Sequence, residues 1–371
     1  MSNRHIHIVT HDVPYPADIG GLIDIFYKIV WLHKTGIKIH LHCFTNNDKQ
    51  EPILNQYCEE VYYYKRKNII SLNLPFIVSS RKSNALLINL QKDNLPILFE
   101  GLHSTYYLNK NLLGDRQIFI RLFNTEHIYY DQLAKFETNF LKKIYYTLES
   151  KLLKKYEERI SDKAHLLALS NTDVDYYKNE FNAQQIDFLP VFLPYENVIS
   201  HTGKGSYCLY QANLSINENE KVALWLIEKV FATIKFPLII SGKKPKNKLL
   251  RTAKKFKNIS IVDSPTETNI QLLIQNAHIN VLPSFNKTGV KLKLLNALFN
   301  GRHCLVDDAG VAGSALDELC SIANNEADFI DNITSLIEIS FTHKEIQQRS
   351  AALKKLYNNK KTAILFSDML Q

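Results

Sequence analysis

The chain has 371 residues, of which 45% are hydrophobic and 22% are charged, and its formal net charge is +8 at pH 7. This length predicts about two globular domains, and the absence of any run of about 18 uncharged apolar residues excludes a transmembrane helix. The excess of positive charge favours an anionic partner, either a polyanion or an anionic bilayer surface, over a neutral one.

The first half of the chain alternates between strand and helix patterns, which predicts a parallel sheet with crossover helices. Ser170 and Asp173 form a capping box ahead of a helix at Asn171. The first helix starts near Gly21 and should end near Gly36. The predicted strands are Ile6 to Thr10, Ile39 to Phe44, Ile97 to Glu100, Ile118 to Leu122 and Leu166 to Ser170.

Gly20 and Gly21 follow the first strand and open the first helix. Because neither has a side chain that blocks its amide, a small or anionic group can approach there. The spacing differs from the G-x-G-x-x-G fingerprint of dinucleotide sites, and no acidic residue closes the second strand. These two departures argue against a nicotinamide enzyme.

Two polar clusters follow later strands of this half. His103 comes just after the strand that ends at Glu100, where a histidine can exchange a proton near neutral pH or simply cap a loop. Arg121 lies in the next strand, with Glu126 and His127 just past it. Since a buried charge needs a partner, Arg121 either holds Glu126 structurally, which we favour slightly, or both face an acceptor.

A basic helix is predicted between Lys142 and Lys163. Its apolar residues recur at helical spacing among lysines, as in a helix that lies on a membrane surface. Three glutamates dilute that charge, so we favour a helix packed on the core with a solvated basic face. The apolar residues are Leu141, Ile144, Tyr145, Leu148, Leu152 and Tyr156.

Prolines and glycines between Phe188 and Tyr207 interrupt the alternation and predict a linker. The pattern then restarts, with strands at Tyr207 to Gln211, Leu238 to Ser241, Ile259 to Val262 and Ile279 to Leu282, and helices from Glu218, after Pro245 and from Glu267. The predicted organisation is a first domain at 1–190, a linker at 191–206, a second domain at 207–345 and a helix at 346–371 that is free to pack back on the first domain. The cleft between the two sheets is the expected ligand site.

The segment from Ile279 to Val306 predicts a strand, a polar loop ending at Gly289, a helix and a second buried strand. Lys291 and Lys293 add positive charge at the helix start, where the macrodipole is already positive, at a cost of about 0.3 to 1 kcal/mol. A bound diphosphate would offset that repulsion. The alternative is an ordinary helix start with solvated lysines. Lys293 shares a helix face with Asn296.

Two further polar loops are expected at the same sheet edge. Lys243 and Lys244 follow the strand that ends at Ser241, and Asn213 follows the strand before it. Lysines at the carboxyl end of a parallel strand are placed to meet phosphate oxygens, although surface lysine runs are usually only solvated.

These segments resemble the GT-B glycosyltransferases, specifically the retaining nucleotide-sugar class of bacterial surface-polysaccharide assembly. The resemblance rests on PYPADIGG, FEGLHS, RLFNTEHIYY with LESKLLKKYEERI, LYQANLSINENEKVALWLI and TGVKLKLLNALFNGRHCLV, and it covers nearly the whole chain. It implies an α/β fold of two doubly wound Rossmann-like domains facing across a cleft. The implied activity is transfer of a sugar from a nucleoside diphosphate sugar to a glycan or lipid-linked glycan, with retention.

The resemblance also implies roles for individual residues. Lys293 and one of the two lysines after Ser241 would lie near the diphosphate, Asn296 near the ribose, and His103 opposite the transferred sugar. The catalytic candidates are His103 and Glu126. The donor-binding candidates are Gly20, Gly21, Asn213, Lys243, Lys244, Thr288, Gly289, Val290, Lys293 and Asn296.

The chain departs from the family at one pair of positions. Members often carry two glutamates eight positions apart, where this chain has Thr288 and Asn296. Asn296 can still form a hydrogen bond with a ribose hydroxyl, but neither residue provides a carboxylate. A catalytically weak scaffold that binds nucleotide or glycan is therefore one alternative. A sugar-nucleotide epimerase of similar architecture, which would use one substrate and no acceptor, is another.

No Asp-x-Asp motif follows a strand at the predicted diphosphate site, so we expect no metal ion and no cofactor besides the donor. The five cysteines are widely spaced, which predicts reduced thiols. Together with an amino terminus that lacks an apolar signal core, they predict a cytoplasmic protein, peripheral at the inner face of the membrane. The expected partners are a nucleotide sugar, a glycan or lipid-linked acceptor and an anionic membrane, with no nucleic acid.

Overall fold

The structure, a computed structural model, describes residues 4–18, 20–46 and 49–370. The chain divides into two compact units. Unit 1 comprises Met1–Ala134, Asn139–Pro194 and Tyr357–Gln371, and unit 2 comprises Lys135–Thr138 and Tyr195–Leu356. Within the described residues, no helix is long and apolar enough to span a membrane.

Unit 1 is built on a parallel sheet of seven strands. They are β1 (His5–Thr10), β2 (Lys38–Thr45), β3 (Glu60–Lys65), β4 (Ile97–Glu100), β5 (Ile118–Leu122), β6 (His165–Ala168) and β7 (Ile186–Phe188). Their order in the sheet is β3-β2-β1-β4-β5-β6-β7. The helices are α1 (Gly20–Lys34), α2 (Phe76–Ser79), α3 (Asn84–Leu90), α4 (Tyr106–Asn109), α5 (Glu126–Phe136), α6 (Phe140–Ile160) and α7 (Asn171–Phe181).

Unit 2 is built on a parallel sheet of six strands. They are β8 (Cys208–Gln211), β9 (Leu238–Gly242), β10 (Ile259–Asp263), β11 (Ile279–Val281), β12 (His303–Val306) and β13 (Ser321–Ile322). Their order is β10-β9-β8-β11-β12-β13. The helices are α8 (Asn217–Trp225), α9 (Asn247–Ala253), α10 (Glu267–Asn276), α11 (Leu292–Asn300), α12 (Asp308–Val311), α13 (Glu326–Glu338) and α14 (His343–Leu356).

The predicted alternation of strands and helices is confirmed in both units, as are two predicted helix ends. The backbone N–H of Asp173 donates to Ser170 Oγ at 3.1 Å, which caps α7. Gly36, at φ +86°, ends α1. The sequence did not indicate β3, because its exposed and half-buried residues show no apolar alternation, or the very short strands β7 and β13.

A buried network of charged side chains ties α1 to the sheet of unit 1. Lys28 Nζ donates to both carboxylate oxygens of Glu100 at 2.8 Å and to Asp24 at 3.0 Å. Arg121 Nε donates to the same Asp24 at 2.9 Å. The charges of two buried cations are therefore balanced by those of two buried carboxylates. The predicted pairing of Arg121 with Glu126 is wrong, and Glu100, the last residue of β4, is fully buried.

The carboxyl-terminal segment forms two helices. In α14, Arg349 Nη1 donates to Gly301 O at 2.7 Å in unit 2. The last helix, α15 (Asn359–Met369), packs on unit 1, as predicted for the end of the chain. There Asn359 exchanges hydrogen bonds of 3.0 and 2.7 Å with the backbone of Leu193, and Phe366 meets Phe119 edge to face at 5.2 Å.

Candidate functional site

The candidate donor site of unit 2 lies where the strand order of its sheet reverses. β8 is bonded to β9 on one side and to β11 on the other, and open parallel sheets bind ligands beyond the carboxyl ends of the strands at such a reversal. The loop after β11 leads into α11. The loop and helix predicted as a diphosphate site therefore lie at the position where open parallel sheets bind ligands.

The loop before α11 is held by a short polar turn. Asn286 Oδ1 accepts hydrogen bonds from the amide and the hydroxyl of Thr288, both at 2.8 Å. Gly289 follows at φ +65°, a conformation that favours glycine. Lys291 is the cap residue, and its Nζ donates to Thr288 O and, at 3.3 Å, to Gly289 O.

The start of α11 is open to an anion. No described side chain caps it, and its first turn holds no acidic residue, so the first amides of the helix point outward. Lys293 in that turn donates from Nζ to Pro283 O at 3.2 Å and stands 5.3 Å over the ring of Tyr210. Burial, together with the neighbouring Lys291, lowers the pKa of Lys293 to about 8.

Two carboxylates near these lysines, the buried Glu218 and the half-buried Asp307, were not predicted. Glu218, in the first turn of α8, has its pKa raised by burial, against the opposing charges of Lys291 and Lys293. Asp307 caps α12, accepting from Ser284 N at 2.9 Å and Gly310 N at 2.7 Å. Neither carboxylate pairs directly with Lys293 in the described part of the chain. The sequence could have indicated Glu218, because this residue comes just after the turn that follows β8.

The loops after β8 and β9 are brought together as predicted. Gly242 is required there, because a Cβ at this position would lie 1.8 Å from Ala212 O. Asn213 forms a turn in which Oδ1 accepts from Ser215 Oγ at 2.7 Å. Lys243 and Lys244 are both exposed, and Lys244 takes φ +55°.

Two amide side chains complete the candidate donor site: Gln211 at the end of β8 and Asn296 on α11. Gln211 ends β8, and its Nε2 is buried without a hydrogen-bond partner among the described residues. An unpaired buried donor at a sheet edge can be satisfied by a ligand. Asn296 shares its face of α11 with Asn300, whose Nδ2 donates to Asn296 Oδ1 at 2.7 Å. Val290 directly precedes the cap residue of α11.

Unit 1 has its own reversal of strand order, between β1 and β4. His11 follows β1, and its ring stacks on the ring of His103 with centroids 4.8 Å apart. Gly101 lies at φ +85°, and a Cβ there would approach His103 Nδ1 to 2.9 Å. Burial lowers the pKa of His103 well below its usual value, so its imidazole is neutral at pH 7.

The two glycines predicted beside this edge open α1 as expected. The position of Gly21 is close to the His11 ring, since a Cβ on the glycine would lie 3.6 Å from Cε1. Gly20 is exposed at the first position of the helix. The histidine pair and the start of α1 thus lie in one neighbourhood.

Glu126 lies at the start of α5 in a buried acidic environment. Its backbone N–H donates to Glu157 Oε1 at 2.7 Å. Glu157 also accepts from His127 Nδ1 and, at 2.7 Å, from Tyr177 OH. Burial first, and then the charge of Glu157, raises the pKa of Glu126 to about 8, so this carboxyl carries its proton at neutral pH.

The basic helix α6 exposes most of its predicted apolar face. Leu141 is 75% exposed and Leu148 is 56% exposed, and Lys142 and Lys143 beside Leu141 are also exposed. The buried residues of α6 are Glu149, Leu153, Tyr156, Glu157 and Ile160, of which Tyr156 belongs to the predicted stripe. The favoured prediction, a helix that packs its apolar stripe on the core, is therefore wrong for its first half.

All five cysteines are free, and three are buried. Across residues 4–18, 20–46 and 49–370, no group of three or more His, Cys, Asp or Glu side chains could hold a metal ion. The expectation that catalysis needs no metal remains a prediction.

No known protein-family profile matches the chain. An uncharacterised 44.6 kDa protein in the cps region of Klebsiella pneumoniae is 28% identical over an alignment of 388 positions, which covers 95% of this chain and 98% of that protein. Among solved structures, a variant of TarM from S. aureus, in complex with fondaparinux, alpha-GlcNAc-glycerol and UDP, has a TM-score of 0.71 at 11% identity. The match covers 99% of this chain and 100% of that one.

Two more solved structures agree over the full length. Anabaena HepE in complex with UDP-glucose has a TM-score of 0.67 at 10% identity, covering 98% of this chain and 99% of that one. A glycosyltransferase from Rickettsia africae has a TM-score of 0.64 at 10% identity, covering 100% and 98%. The chain has the GT-B fold. This GT-B chain keeps both parallel sheets of the fold, with the loop and helix from Asn286 to Asn300 at the strand-order reversal of the second sheet.

Proposed function

We propose that this GT-B protein is a glycosyltransferase that moves a sugar from a nucleoside diphosphate sugar to a glycan or lipid-linked glycan, with retention and without an obligatory metal. The observation that carries the proposal is the open start of α11, with Lys293 in its first turn donating to Pro283 O, at the strand-order reversal of unit 2. A helix start of this kind binds phosphate oxygens through free amides and the macrodipole.

The chemistry that this site supports is stabilisation of a leaving diphosphate. Negative charge grows on the diphosphate as the bond to the sugar breaks, and preorganised donors aimed at that charge lower the barrier. Lys293 and the first amides of α11 would supply them. HepE is solved with UDP-glucose and TarM with UDP, which makes a uridine nucleotide the first donor to test.

For unit 1 we propose an acceptor site at the carboxyl edge of β1, β4 and β5. His103 is neutral at pH 7 because burial lowers its pKa, so it can accept or donate a hydrogen bond without carrying charge. Glu126 is protonated at neutral pH because its pKa is raised to about 8. It would therefore act as a hydrogen-bond donor to the acceptor or the transferred sugar.

We also propose that α6 rests on an anionic membrane, where a lipid-linked acceptor would be found. Support comes from its exposed apolar residues, which include Phe140 at 73% and Leu141 at 75% exposed, and from the exposed lysines that alternate with them. An interfacial helix combines these two features. The nearby loop adds Ile70 at 84% and Leu72 at 90% exposed.

A second candidate is a nucleotide-binding scaffold without turnover. It is favoured by Thr288 and Asn296, which lack carboxylates and already have hydrogen-bond partners within the site. Incubation with UDP-, GDP-, ADP- and TDP-sugars, followed by mass spectrometry, separates the candidates. Release of nucleoside diphosphate supports a transferase, conversion of a donor to its epimer indicates an epimerase, and no change with any donor would leave the scaffold. Lys293→Met is the matched inactive control.

A further inference from the structure

A second group of cations in unit 1 lies outside the proposed donor site. Arg66 follows β3 and Arg81 follows α2, and the two segments are joined by a backbone hydrogen bond of 2.8 Å from Lys67 N to Ser80 O. Arg81 Nε donates to His11 O at 3.0 Å, and the His11 ring stacks on His103. Two guanidinium groups thus adjoin the histidine pair at the carboxyl edge of β1 and β4.

These guanidinium charges are not neutralised by the protein. Arg81 is only 3% exposed. It donates to the carbonyl oxygens of His11 and, at 2.7 Å, of Ile77, and to the Ser80 hydroxyl at 3.4 Å. Asp12 is the carboxylate that acts on it, from beyond ion-pair distance. Burial and the neighbouring Arg66 lower the pKa of Arg81 to about 9.

The contrast with the network around Arg121 is informative. There, two buried cations meet two carboxylates within 3.2 Å. Arg66 and Arg81 form no ion pair with any described residue. Arg81 is buried and Arg66 is half-buried. A buried charge without a counter-charge is costly, and an anionic ligand would remove that cost for Arg81.

Unsatisfied polar atoms mark the same place. Arg66 Nε, His103 Nδ1 and Ser104 Oγ are each buried without a hydrogen-bond partner among the residues that the structure describes. Buried polar atoms are nearly always paired, with protein or with a bound group. One of these atoms belongs to Arg66 itself, and all three can donate a hydrogen bond, which the acceptor oxygens of a ligand would satisfy.

We propose that Arg66, Arg81 and His103 bind a phosphate or diphosphate group of the acceptor. This inference rests on the proposed transferase function and names the chemistry of its acceptor. A phosphate monoester carries close to two negative charges at neutral pH and has three acceptor oxygens. Two guanidinium groups therefore suit a phosphate ligand better than a ligand with a single carboxylate. Arginine forks fit such oxygens in pairs.

The apolar surface beside the cluster favours a phosphate that is attached to a lipid. The charge of Arg66 acts on the phenol of Tyr145 in α6, which places the cluster beside the exposed apolar part of that helix. Ile69 and Ile70 follow Arg66 within four residues, and both are exposed. A phosphate at the arginines would therefore have an apolar surface next to it.

The test is calorimetry on the full chain, with saturating UDP present to fill the proposed donor site, and three probes: inorganic pyrophosphate, geranyl diphosphate and glucuronate. Arg66→Gln should weaken diphosphate binding at least tenfold and leave UDP affinity within twofold of wild type. Arg116→Gln is the matched control, because Arg116 also donates to carbonyl oxygens of unit 1, those of Leu113, Leu90 and Asp93, but at the start of β5. It should leave both affinities unchanged.

Arg81→Gln provides a second, more buried variant, with circular dichroism to confirm that it folds. Tighter binding of geranyl diphosphate than of pyrophosphate would assign the site to a lipid-linked phosphate, and equal binding would assign it to the phosphate alone. Diphosphate affinity within twofold of wild type in folded Arg66→Gln overturns the inference, as does Arg66-dependent binding of glucuronate alone. If UDP does not bind but diphosphate binding still depends on Arg66, the donor proposal fails and this site stands.

Discussion

Lys293→Met should make the protein more stable and a worse binder of nucleoside diphosphate. Methionine retains an unbranched chain over Tyr210 but removes the buried ammonium. In the free protein the pKa of Lys293 falls from 10.5 to about 8, which corresponds to a destabilisation of up to about 3 kcal/mol at pH 7 at 1.36 kcal/mol per pH unit. The hydrogen bond to Pro283 O offsets about 1 kcal/mol of it, so a net gain of about 1 to 2 kcal/mol is expected.

The loss of affinity should be larger than the gain in stability. A hydrogen bond that involves a charged group contributes about 1.5 to 3 kcal/mol, which raises Kd for UDP by about tenfold to 150-fold. Above pH 8 the wild-type affinity should fall by about tenfold per pH unit, because free Lys293 becomes neutral. The variant should lack that pH dependence.

The lowered pKa of Lys293 also determines whether the free energy of unfolding rises or falls with pH. Between pH 8 and 10.5 the unfolded chain keeps a proton on this lysine that the folded chain has released. The free energy of unfolding of the wild type should therefore rise with pH across this window, and that of Lys293→Met should not. Calorimetry with UDP and urea denaturation measure both effects. A variant that is less stable and still binds UDP within twofold of wild type refutes the assignment of Lys293 to the diphosphate.

Three other variants test separate parts of the molecule. Glu126→Gln mimics the protonated carboxyl, so its turnover at pH 7 should stay within about threefold of wild type. The decline in turnover that the wild type should show above pH 8, where Glu126 loses its proton, should disappear in the variant. A loss of about 100-fold at pH 7 would show that the carboxylate is the active form. Arg121→Met leaves Asp24 buried without one of its partners and should destabilise the fold by about 3 to 5 kcal/mol in urea denaturation; a loss below about 1 kcal/mol would contradict the role of the network. The double change Leu141→Glu with Leu148→Glu should abolish cosedimentation with phosphatidylglycerol vesicles and leave UDP binding intact, whereas unchanged cosedimentation would remove α6 from the membrane proposal.

Local sequence patterns predicted the elements of the fold well because their causes are local. Alternating apolar runs marked most strands, Ser170 marked the start of α7 through a contact only three residues away, and Gly36 marked the end of α1. The position of α11 followed from the same kind of pattern. Each of these features depends on hydrogen bonds or backbone angles within a few residues.

Partners distant in the sequence could not be predicted in this way. Arg121 pairs with Asp24, 97 residues earlier, and nothing near either residue indicates this. Helical spacing identified the apolar stripe of α6, but the spacing does not tell which face the rest of the chain covers, so Leu148 proved exposed. Arg66 and Arg81 become neighbours only through the packing of two loops.

The most direct test of the proposed donor site is a thermal-shift comparison of UDP, GDP, ADP and TDP with their nucleoside monophosphates. Ligand at 100 times its Kd stabilises the folded state by about 2.7 kcal/mol. We predict that at least one diphosphate raises the Tm of the wild type, that its monophosphate has a smaller effect, and that the shift in Lys293→Met is at most about half that of the wild type. If no diphosphate raises the Tm, or if the shift in Lys293→Met equals that of the wild type, then the start of α11 is not a diphosphate site.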